Sequence, residues 1–335
     1  MNFLDKSDRI FVAGSNGMVG SAICKLLQRN GYTKNNKNLL TSRREELDLT
    51  DSEKVHLWFS KNKPDIVICA AAKVGGILSN SKKPVNFLLE NLKIQNNLIE
   101  NSWKFGIKRF LFLGSSCIYP KLSQQPIKEE YLLNGSLERT NEWYAIAKIS
   151  GLKLCEAFRR QYNFDALSLM PTNLYGPNDN YNLEESHVMA ALIRKFYEAK
   201  HNNLPEVVCW GSGKPLREFL YVDDFAEACL HSLKYWSPSS KDSPKKSNGD
   251  ALTWLNIGSQ YEISIYDLAK KISKLINYKG EIIWDRTKPD GTLRKKLCTK
   301  NINKLGWEAS TPLDQGISLT LNNFREDLIK GKLRH

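Results

Sequence analysis

Near the beginning of the sequence stands the run Ile10-Phe11-Val12-Ala13-Gly14-Ser15-Asn16-Gly17-Met18-Val19-Gly20, four apolar residues followed directly by a glycine-rich turn. The apolar residues predict a buried strand, and the amphipathic pattern from Val19 to Arg29 predicts a helix after the turn. Glycines at 14, 17 and 20 let the backbone bend tightly and approach a pyrophosphate, which the N-terminal amides of the helix would bind. The run predicts a dinucleotide site, although many such turns serve packing alone.

Downstream of the turn, short apolar runs alternate with amphipathic segments as far as Met170. Strands are expected at 39–42, 66–70, 110–113 and 167–170, and helices at 53–61, 85–105 and 144–162. Such alternation predicts a parallel sheet with helices on both faces, to which the apolar run 252–257 would add a strand. After Pro171 the pattern predicts helices at 187–201 and 225–235, the second capped by Asp223 or Asp224, and strands at 207–210 and 219–222.

Bulk composition is that of a globular protein with one or two cores. The 335 residues are 41% hydrophobic and 25% charged, and no apolar run reaches the roughly 20 residues of a membrane span. The seven cysteines are scattered, without a Cys-x-x-Cys pair or a His/Cys cluster, so we expect neither a metal site nor a disulfide framework. The first residues lack the features of a secretory signal, which favours a cytoplasmic protein.

The net charge of +13 raises the question of nucleic-acid binding. A nucleic-acid surface concentrates its basic residues, whereas the densest basic runs here are two or three residues long. We therefore expect no nucleic-acid partner and no membrane partner, but a surface whose charge can attract a phosphorylated small substrate.

A second motif, Tyr144-Ala145-Ile146-Ala147-Lys148, adds chemistry to the dinucleotide turn. Its spacing places the phenol and the ammonium on one face of a helix. A nearby ammonium stabilises phenolate, so a phenol with an ordinary pKa of about 10 can exchange protons closer to neutral pH. Reduction of a carbonyl beside a nicotinamide ring requires such a group.

These two motifs together resemble the extended short-chain dehydrogenase/reductase superfamily. Longer stretches narrow the resemblance to the GDP-L-fucose synthases: Leu113 to Pro120, Met170 to Pro177 and Trp210 to Leu220, with Ala70 to Ile77 and Ser186 to Val188. The resemblance runs from about residue 9 to about residue 310. It implies an α/β fold, a Rossmann-type doubly wound parallel sheet with a smaller α/β substrate-binding domain. The expected domains are 1–172 plus about 219–260 for NADP, and about 173–218 plus 261–335 for the sugar nucleotide.

The family epimerises GDP-4-keto-6-deoxy-D-mannose at C3 and C5, then reduces C4 with NADPH to give GDP-L-fucose. A C4 ketone acidifies the protons on both neighbouring carbons, and inversion needs a base on one face and an acid on the other. The resemblance implies Cys117 as base and His187 as acid, although the sequence alone leaves their faces open. It also implies that Ser115 and Tyr144 hold the C4 oxygen, that Tyr144 protonates it, and that Lys148 binds the nicotinamide ribose and lowers the tyrosine pKa.

The implied cofactor is NADP(H). Its contacts are expected from the glycine turn, from two strand ends and from the catalytic groups: Gly14, Ser15, Asn16, Gly17, Met18, Val19, Gly20, Leu113, Gly114, Ser115, Ser116, Tyr144, Lys148, Pro171, Thr172, Asn173, Leu174 and His187. Arg43 and Arg44 follow the second predicted strand and can hold the 2′-phosphate. The turn offers Asn16 where NADPH enzymes often place an arginine, so we expect weakened discrimination against NADH.

For the sugar nucleotide, the resemblance implies contacts from Lys195, Trp210, Arg217 and Asp290. A guanidinium fork binds phosphate through two hydrogen bonds, and an indole offers a flat apolar surface. For Lys195, a solvated helix face is an equally good interpretation. The helices Val85 to Phe105 and Trp143 to Tyr162 imply a homodimer joined through a four-helix bundle.

Other functions share parts of this pattern. A nucleotide-sugar 4-epimerase or 4,6-dehydratase has the same turn and the same Tyr-x-x-x-Lys motif. The first needs no proton transfer at C3 or C5, and the second typically carries an acid next to the position of Ser115, where this chain has Ser116-Cys117. A non-catalytic dinucleotide-binding or nucleic-acid-binding scaffold would not need the intact Ser, Tyr and Lys set.

Overall fold

The computed structural model describes residues 2–182, 184–288 and 290–334. Within them, the main sheet consists of β1 (Ile10–Ala13), β2 (Leu39–Leu40), β3 (Ile66–Cys69), β4 (Arg109–Leu113), β5 (Ala166–Pro171) and β9 (Trp254–Ile257). These strands are parallel and lie in the order β2-β1-β3-β4-β5-β9. The predicted parallel sheet is confirmed, including the additional strand from the run 252–257.

The topology places a crevice at the carboxyl end of β1. From β1 the chain moves to β2 on one side and later to β3 on the other, so that Ile10 pairs with both Leu39 and Ile66. In an open parallel sheet, ligands bind at this reversal of strand order.

Helices cover both faces of the sheet because successive strand residues point to opposite sides. On one face, the Ile10 and Val12 side chains pack with α1 (Met18–Arg29), α7 (Val222–Tyr235) and α9 (Lys300–Lys304). On the other, Phe11 and Ala13 pack with α2 (Ser52–Asn62), α4 (Asn91–Lys104) and α5 (Glu142–Tyr162). The expected helix at 85–105 begins with a π-helical turn, Asn86–Glu90, that continues directly into α4. A short helix, α3 (Ile77–Lys82), precedes it.

A second region adjoins the carboxyl end of the main sheet. It contains α6 (Val188–His201), α8 (Ile265–Ile276), α10 (Leu313–Ile329), β6 (Asn173–Tyr175), β7 (Glu206–Trp210), β8 (Leu216–Tyr221), β10 (Glu262–Ser264), β11 (Glu281–Asp285) and β12 (Arg294–Lys295). Strand β8 pairs with β6, β10 and β12, while β7 pairs with β11. The helices enclose an apolar cluster of their own, which includes Ile193, Leu268 and Phe324.

The expectation that Asp223 or Asp224 caps α7 is wrong. The helix begins at Val222, and the N-cap position is Tyr221, which caps no amide through its side chain. Asp224 instead accepts hydrogen bonds from the Thr311 backbone amide at 3.0 Å and from its hydroxyl at 2.7 Å. The carboxylate ties the first turn of α7 to the loop before α10. None of the helices in the described ranges is long and apolar enough to cross a bilayer.

Candidate active site

The glycine turn forms a cradle that side chains would fill. Gly14 has φ +84°, and a Cβ there would lie 2.7 Å from the backbone of Ala71 on the next strand end. A Cβ on Gly20 would lie 2.1 Å from the Gly14 carbonyl oxygen. Gly17 is the N-cap of α1, no side chain caps this end, and the first turn carries no acidic residue. The free amides and the positive helix end fit the phosphates of a dinucleotide.

The side chains predicted to act in reduction lie where β4 ends. Lys148 is buried on α5 and donates from Nζ to the Leu113 carbonyl at 2.8 Å, while the same nitrogen lies 5.8 Å from the centre of the Tyr144 ring. Ser115 lies close enough to the Tyr144 hydroxyl to lower the pKa of the phenol. The Ser115 hydroxyl in turn accepts from the Cys117 backbone amide at 3.2 Å. The fold therefore brings all four side chains to one strand end.

The electrostatics of Tyr144 differ from the sequence expectation. Desolvation raises the pKa of its phenol above the ordinary value, the nearby Cys117 raises it further, and the Ser115 hydrogen bond opposes them. Burial also lowers the pKa of Lys148. We expected the Lys148 ammonium to lower the pKa of Tyr144. The structure instead raises that pKa, because desolvation of the phenol outweighs the lowering by Ser115. The phenol is therefore protonated at neutral pH.

Two further groups meet Cys117, which is half-buried and free. Asn141 Nδ2 donates to Sγ at 3.2 Å, and Lys295 Nζ approaches the same sulfur at 3.7 Å. Sequence reasoning missed both. Asn141 is the N-cap residue of α5, three positions before Tyr144. Its position in the sequence could therefore have indicated that it lies close to the other side chains of the site. Lys295 comes from β12, and nothing in the sequence marks it.

His187 is the N-cap residue of α6. The loop after β3 packs against the residues before it, since the Gly76 amide donates to the Glu185 carbonyl at 2.7 Å and a Cβ on Gly76 would lie 2.6 Å from the Ser186 oxygen. The imidazole remains accessible, yet desolvation by the surrounding protein lowers its pKa below the usual 6.5. The imidazolium is thereby made a stronger acid, and it is the minor form of the side chain at neutral pH.

The segment that leaves β5 links the two parts of the site. The Thr172 hydroxyl and the Asn173 side-chain amide both donate to the Glu218 carbonyl, at 3.1 and 2.8 Å. Glu218 follows Arg217 on β8. The predicted cofactor segment from Pro171 to Leu174 is thus fixed to the strand that carries the predicted substrate arginine.

Arg217 and Lys295 are paired residues of β8 and β12. Burial lowers the pKa of the Arg217 guanidinium, and the nearby Cys117 and Asp290 oppose that effect. Asp290 accepts from the Ser212 amide at 2.9 Å and from the Ser212 hydroxyl at 2.6 Å. Asp290 therefore holds its loop against the turn before β8.

Trp210 lies at the end of β7 with 44% of its surface exposed. Two ammonium groups lie over its ring, Lys195 Nζ at 5.0 Å and Lys288 Nζ at 5.6 Å from the centre. Lys195 also donates to the Val208 carbonyl at 2.9 Å, so it is held beside the indole. Sequence reasoning missed Lys288. The two ammonium groups and the indole ring together form a positively charged surface around a flat apolar ring.

The two arginines expected at the 2′-phosphate lie in the exposed turn after β2. Arg43 donates from Nε to Glu46 Oε1 at 3.1 Å, and both partners are largely exposed. Exposed ion pairs of this kind contribute about 0–1 kcal/mol, so a phosphate could compete for the guanidinium. Arg44 is likewise exposed. No group of three or more His, Cys, Asp or Glu side chains that could hold a metal occurs in the described part of the chain.

Comparison with known proteins gives a consistent set of relatives. A family model described as the NAD dependent epimerase/dehydratase family matches residues 10–243. GDP-L-fucose synthase 1 of Arabidopsis thaliana is 51% identical over 324 residues, 97% of this chain and 95% of its own. GDP-L-fucose synthase of Escherichia coli K12 is 46% identical over 319 residues, 95% of this chain and 97% of its own. A GDP-L-fucose synthetase from Naegleria fowleri, solved with NADP bound, superposes with a TM-score of 0.84 at 28% identity, covering 98% of this chain and 97% of its own.

Proposed function

The chain belongs to the NAD dependent epimerase/dehydratase family and, within it, to the GDP-L-fucose synthases, and on that premise we propose that it converts GDP-4-keto-6-deoxy-D-mannose to GDP-L-fucose. It is an oxidoreductase whose cofactor is NADP(H). The observation that carries the proposal is the thiol of Cys117 beside the reducing pair, with its amide 3.2 Å from Ser115 Oγ. A 4-epimerase needs no thiol at this place.

Epimerisation uses Cys117 and His187. The Cys117 thiolate takes a proton from the carbon beside the C4 ketone, and the electrons of the broken C–H bond move into the enolate oxygen. Ser115 and Tyr144 hydrogen-bond that oxygen as its charge develops. His187, as imidazolium, then gives a proton to the opposite face of the carbon. The Asn141 and Lys295 contacts fix the direction of Sγ.

Reduction uses Tyr144 and Lys148. NADPH supplies the hydride for C4 when bound. The phenol gives its proton to the C4 oxygen, and it carries that proton at neutral pH because burial keeps its pKa high. The ammonium of Lys148 then stabilises the phenolate that remains, while its bond to the Leu113 carbonyl keeps it beside the ring.

Binding of the diphosphate and base uses the cationic side of the cleft. Lys195 and Lys288 supply positive charge over the Trp210 ring, and Arg217 adds a guanidinium on β8. Asp290 holds its loop to Ser212. A guanidinium fork and two ammonium groups suit a nucleoside diphosphate.

The proposal also covers the oligomeric state of the protein and its location in the cell. We propose a homodimer through α4 and α5, supported by the exposed Leu89, Trp143 and Tyr162 on or beside these helices. We also propose a cytoplasmic enzyme with the two domains bounded as the sequence predicts, the second carrying the sugar nucleotide. Sedimentation velocity measures the oligomeric state.

The experiment is incubation of the purified chain with GDP-4-keto-6-deoxy-D-mannose and NADPH. We expect stoichiometric loss of NADPH absorbance and a product with the L-fuco configuration by NMR. Loss of NADPH with a product reduced at C4 but not inverted at C3 and C5 would instead identify a simple 4-keto reductase. No conversion of the ketone would contradict an epimerase-reductase acting on this substrate.

A further inference from the structure

The segment that follows α10 returns to the dinucleotide turn. The Tyr181 amide donates to the Arg334 carbonyl at 2.9 Å, and Leu333 packs against the apolar cluster of α6, α8 and α10. The Arg334 Nη1 donates to the Asn178 carbonyl at 3.3 Å. Asn178 in turn donates from Nδ2 to Ser21 Oγ on α1 at 2.9 Å. This segment is thus attached, through one loop, to the helix that begins at the glycine turn.

The guanidinium of Arg334 lies beside Gly17. An ideal Cβ on Gly17 would be 3.8 Å from Arg334 Nη1. Gly17 is the N-cap of α1, where the helix has its positive end and no acidic side chain in its first turn. A guanidinium and a positive helix end side by side repel each other unless an anion lies between them. The arrangement therefore favours an anion at this place more strongly than the helix end alone does.

Asp179 is the one buried carboxyl group that interacts with Arg334 in the described contacts. Burial raises its pKa to about 7, and the Arg334 charge only opposes this rise. Near neutral pH the carboxyl is thus partly protonated and compensates the guanidinium incompletely. The exposed face of Arg334 is left for a ligand.

We propose that Arg334 binds a phosphate of NADP(H), supplying at the glycine turn the positive charge that Asn16 does not provide. The inference rests on the proposed reduction by NADPH. It adds a residue outside the segment 10–243 that the family model matches. The phosphate is either the pyrophosphate, which NADH shares, or the 2′-phosphate, which it lacks.

Equilibrium binding to the free protein tests the inference without turnover. Titrations followed by NADPH or NADH fluorescence compare the unaltered chain with Arg334→Ala. Loss of one charge-assisted contact corresponds to roughly a tenfold weaker Kd for NADPH. A matching loss for NADH assigns the contact to the pyrophosphate, and an unchanged Kd for NADH assigns it to the 2′-phosphate. Lys332→Ala removes an exposed charge from the same segment and should leave both affinities within about twofold.

Two further variants separate phosphate binding by Arg334 from its hydrogen bond to the Asn178 carbonyl. Arg334→Lys keeps the charge, whereas Arg334→Gln keeps a donor for the Asn178 carbonyl without charge. We expect Arg334→Lys to keep most of the NADPH affinity of the unaltered chain and Arg334→Gln to keep little of it. Both variants should have the same melting temperature in the absence of dinucleotide. Full restoration by Gln, or an unchanged NADPH Kd in Arg334→Ala, would overturn it. If the unaltered chain bound no NADPH, the proposed function would fail together with it.

Discussion

The proposed dinucleotide end of the site and its proposed sugar-nucleotide side are built in different ways. At the dinucleotide end, β1, the turn and α1 follow one another between Ile10 and Arg29. On the other side, Arg217 stands on β8, Asp290 in a loop and Lys295 on β12, and the Ser212–Asp290 bond joins residues 78 positions apart. A local turn forms from its own backbone preferences, whereas distant groups meet only after long loops close at an entropic cost.

Cys117 lies where the two sides meet. Its amide bonds to Ser115 at the end of β4, close in the chain, while its sulfur meets Lys295 from a strand 178 positions away. We therefore expect that substitutions in the glycine turn, after β2 and at Tyr144 change cofactor use and reduction. Substitutions at Cys117 and on β8 and β12 should change epimerisation and substrate binding. The predictions below test this division.

Tyr144→Phe tests the reducing end most severely. The variant keeps the ring but loses the proton donor, so NADPH consumption should fall by about 10²- to 10⁴-fold. Binding of NADPH should remain. Steady-state turnover and a direct titration measure the two properties. Tyr235→Phe, at the exposed end of α7, is the matched control and should keep full turnover. Near-normal turnover of Tyr144→Phe would remove the phenol from the mechanism.

Cys117→Ser tests whether epimerisation can be separated from reduction. A hydroxyl stays protonated where a thiol forms thiolate, so deuterium incorporation at C3 and C5 from D₂O, without NADPH, should fall by about 10²-fold. With NADPH the variant should still reduce some unepimerised ketone and give 6-deoxy sugars of the wrong configuration. Cys24→Ser on α1 is the thiol control. Unaltered deuterium exchange in Cys117→Ser would exclude the sulfur as the base.

Replacing Arg43 and Arg44 together by Ala tests the dinucleotide end alone. If the two guanidinium groups hold the 2′-phosphate, the KM for NADPH should rise by roughly tenfold, since contacts to a charged group are lost. The KM for NADH should change little, because NADH lacks that phosphate. Initial rates with both cofactors provide the measurement. Equal changes for the two cofactors would place the discrimination at other residues.

Lys295→Ala tests the contact that only the folded chain creates. Loss of the Nζ–Sγ interaction at 3.7 Å frees the sulfur to turn away from its direction. Deuterium exchange at C3 and C5 should fall by several-fold to about tenfold, less than in Cys117→Ser, because misplacement of a reacting group slows its step. The neighbouring Lys296→Ala, whose side chain pairs with Glu262, is the control. An effect confined to NADPH affinity would assign Lys295 to the dinucleotide end instead.

Much of the main sheet could be predicted because its signals are local. Four apolar residues predicted β1 with the observed bounds, and the run 252–257 predicted a strand that proved to be β9. The spacing of Tyr144 and Lys148 predicted their common helix face, and the structure holds both at the end of β4. Asp224 shows where prediction from neighbouring residues fails. Its carboxylate accepts hydrogen bonds from Thr311, 87 positions away, and does not cap α7.

The sequence by itself determined the alternation of strands and helices, the glycine turn and the pairing of Tyr144 with Lys148 on one helix face, because each follows from backbone preference or spacing within a few residues. Tertiary structure alone decided that Lys295 meets Cys117, that Lys288 and Lys195 share the ring of Trp210, and that Arg334 returns to Gly17. It also decided the direction of the Tyr144 pKa, because desolvation depends on the atoms packed around the phenol. No pattern of nearby residues predicts these contacts, because the partners come from distant segments that meet only when the whole chain folds.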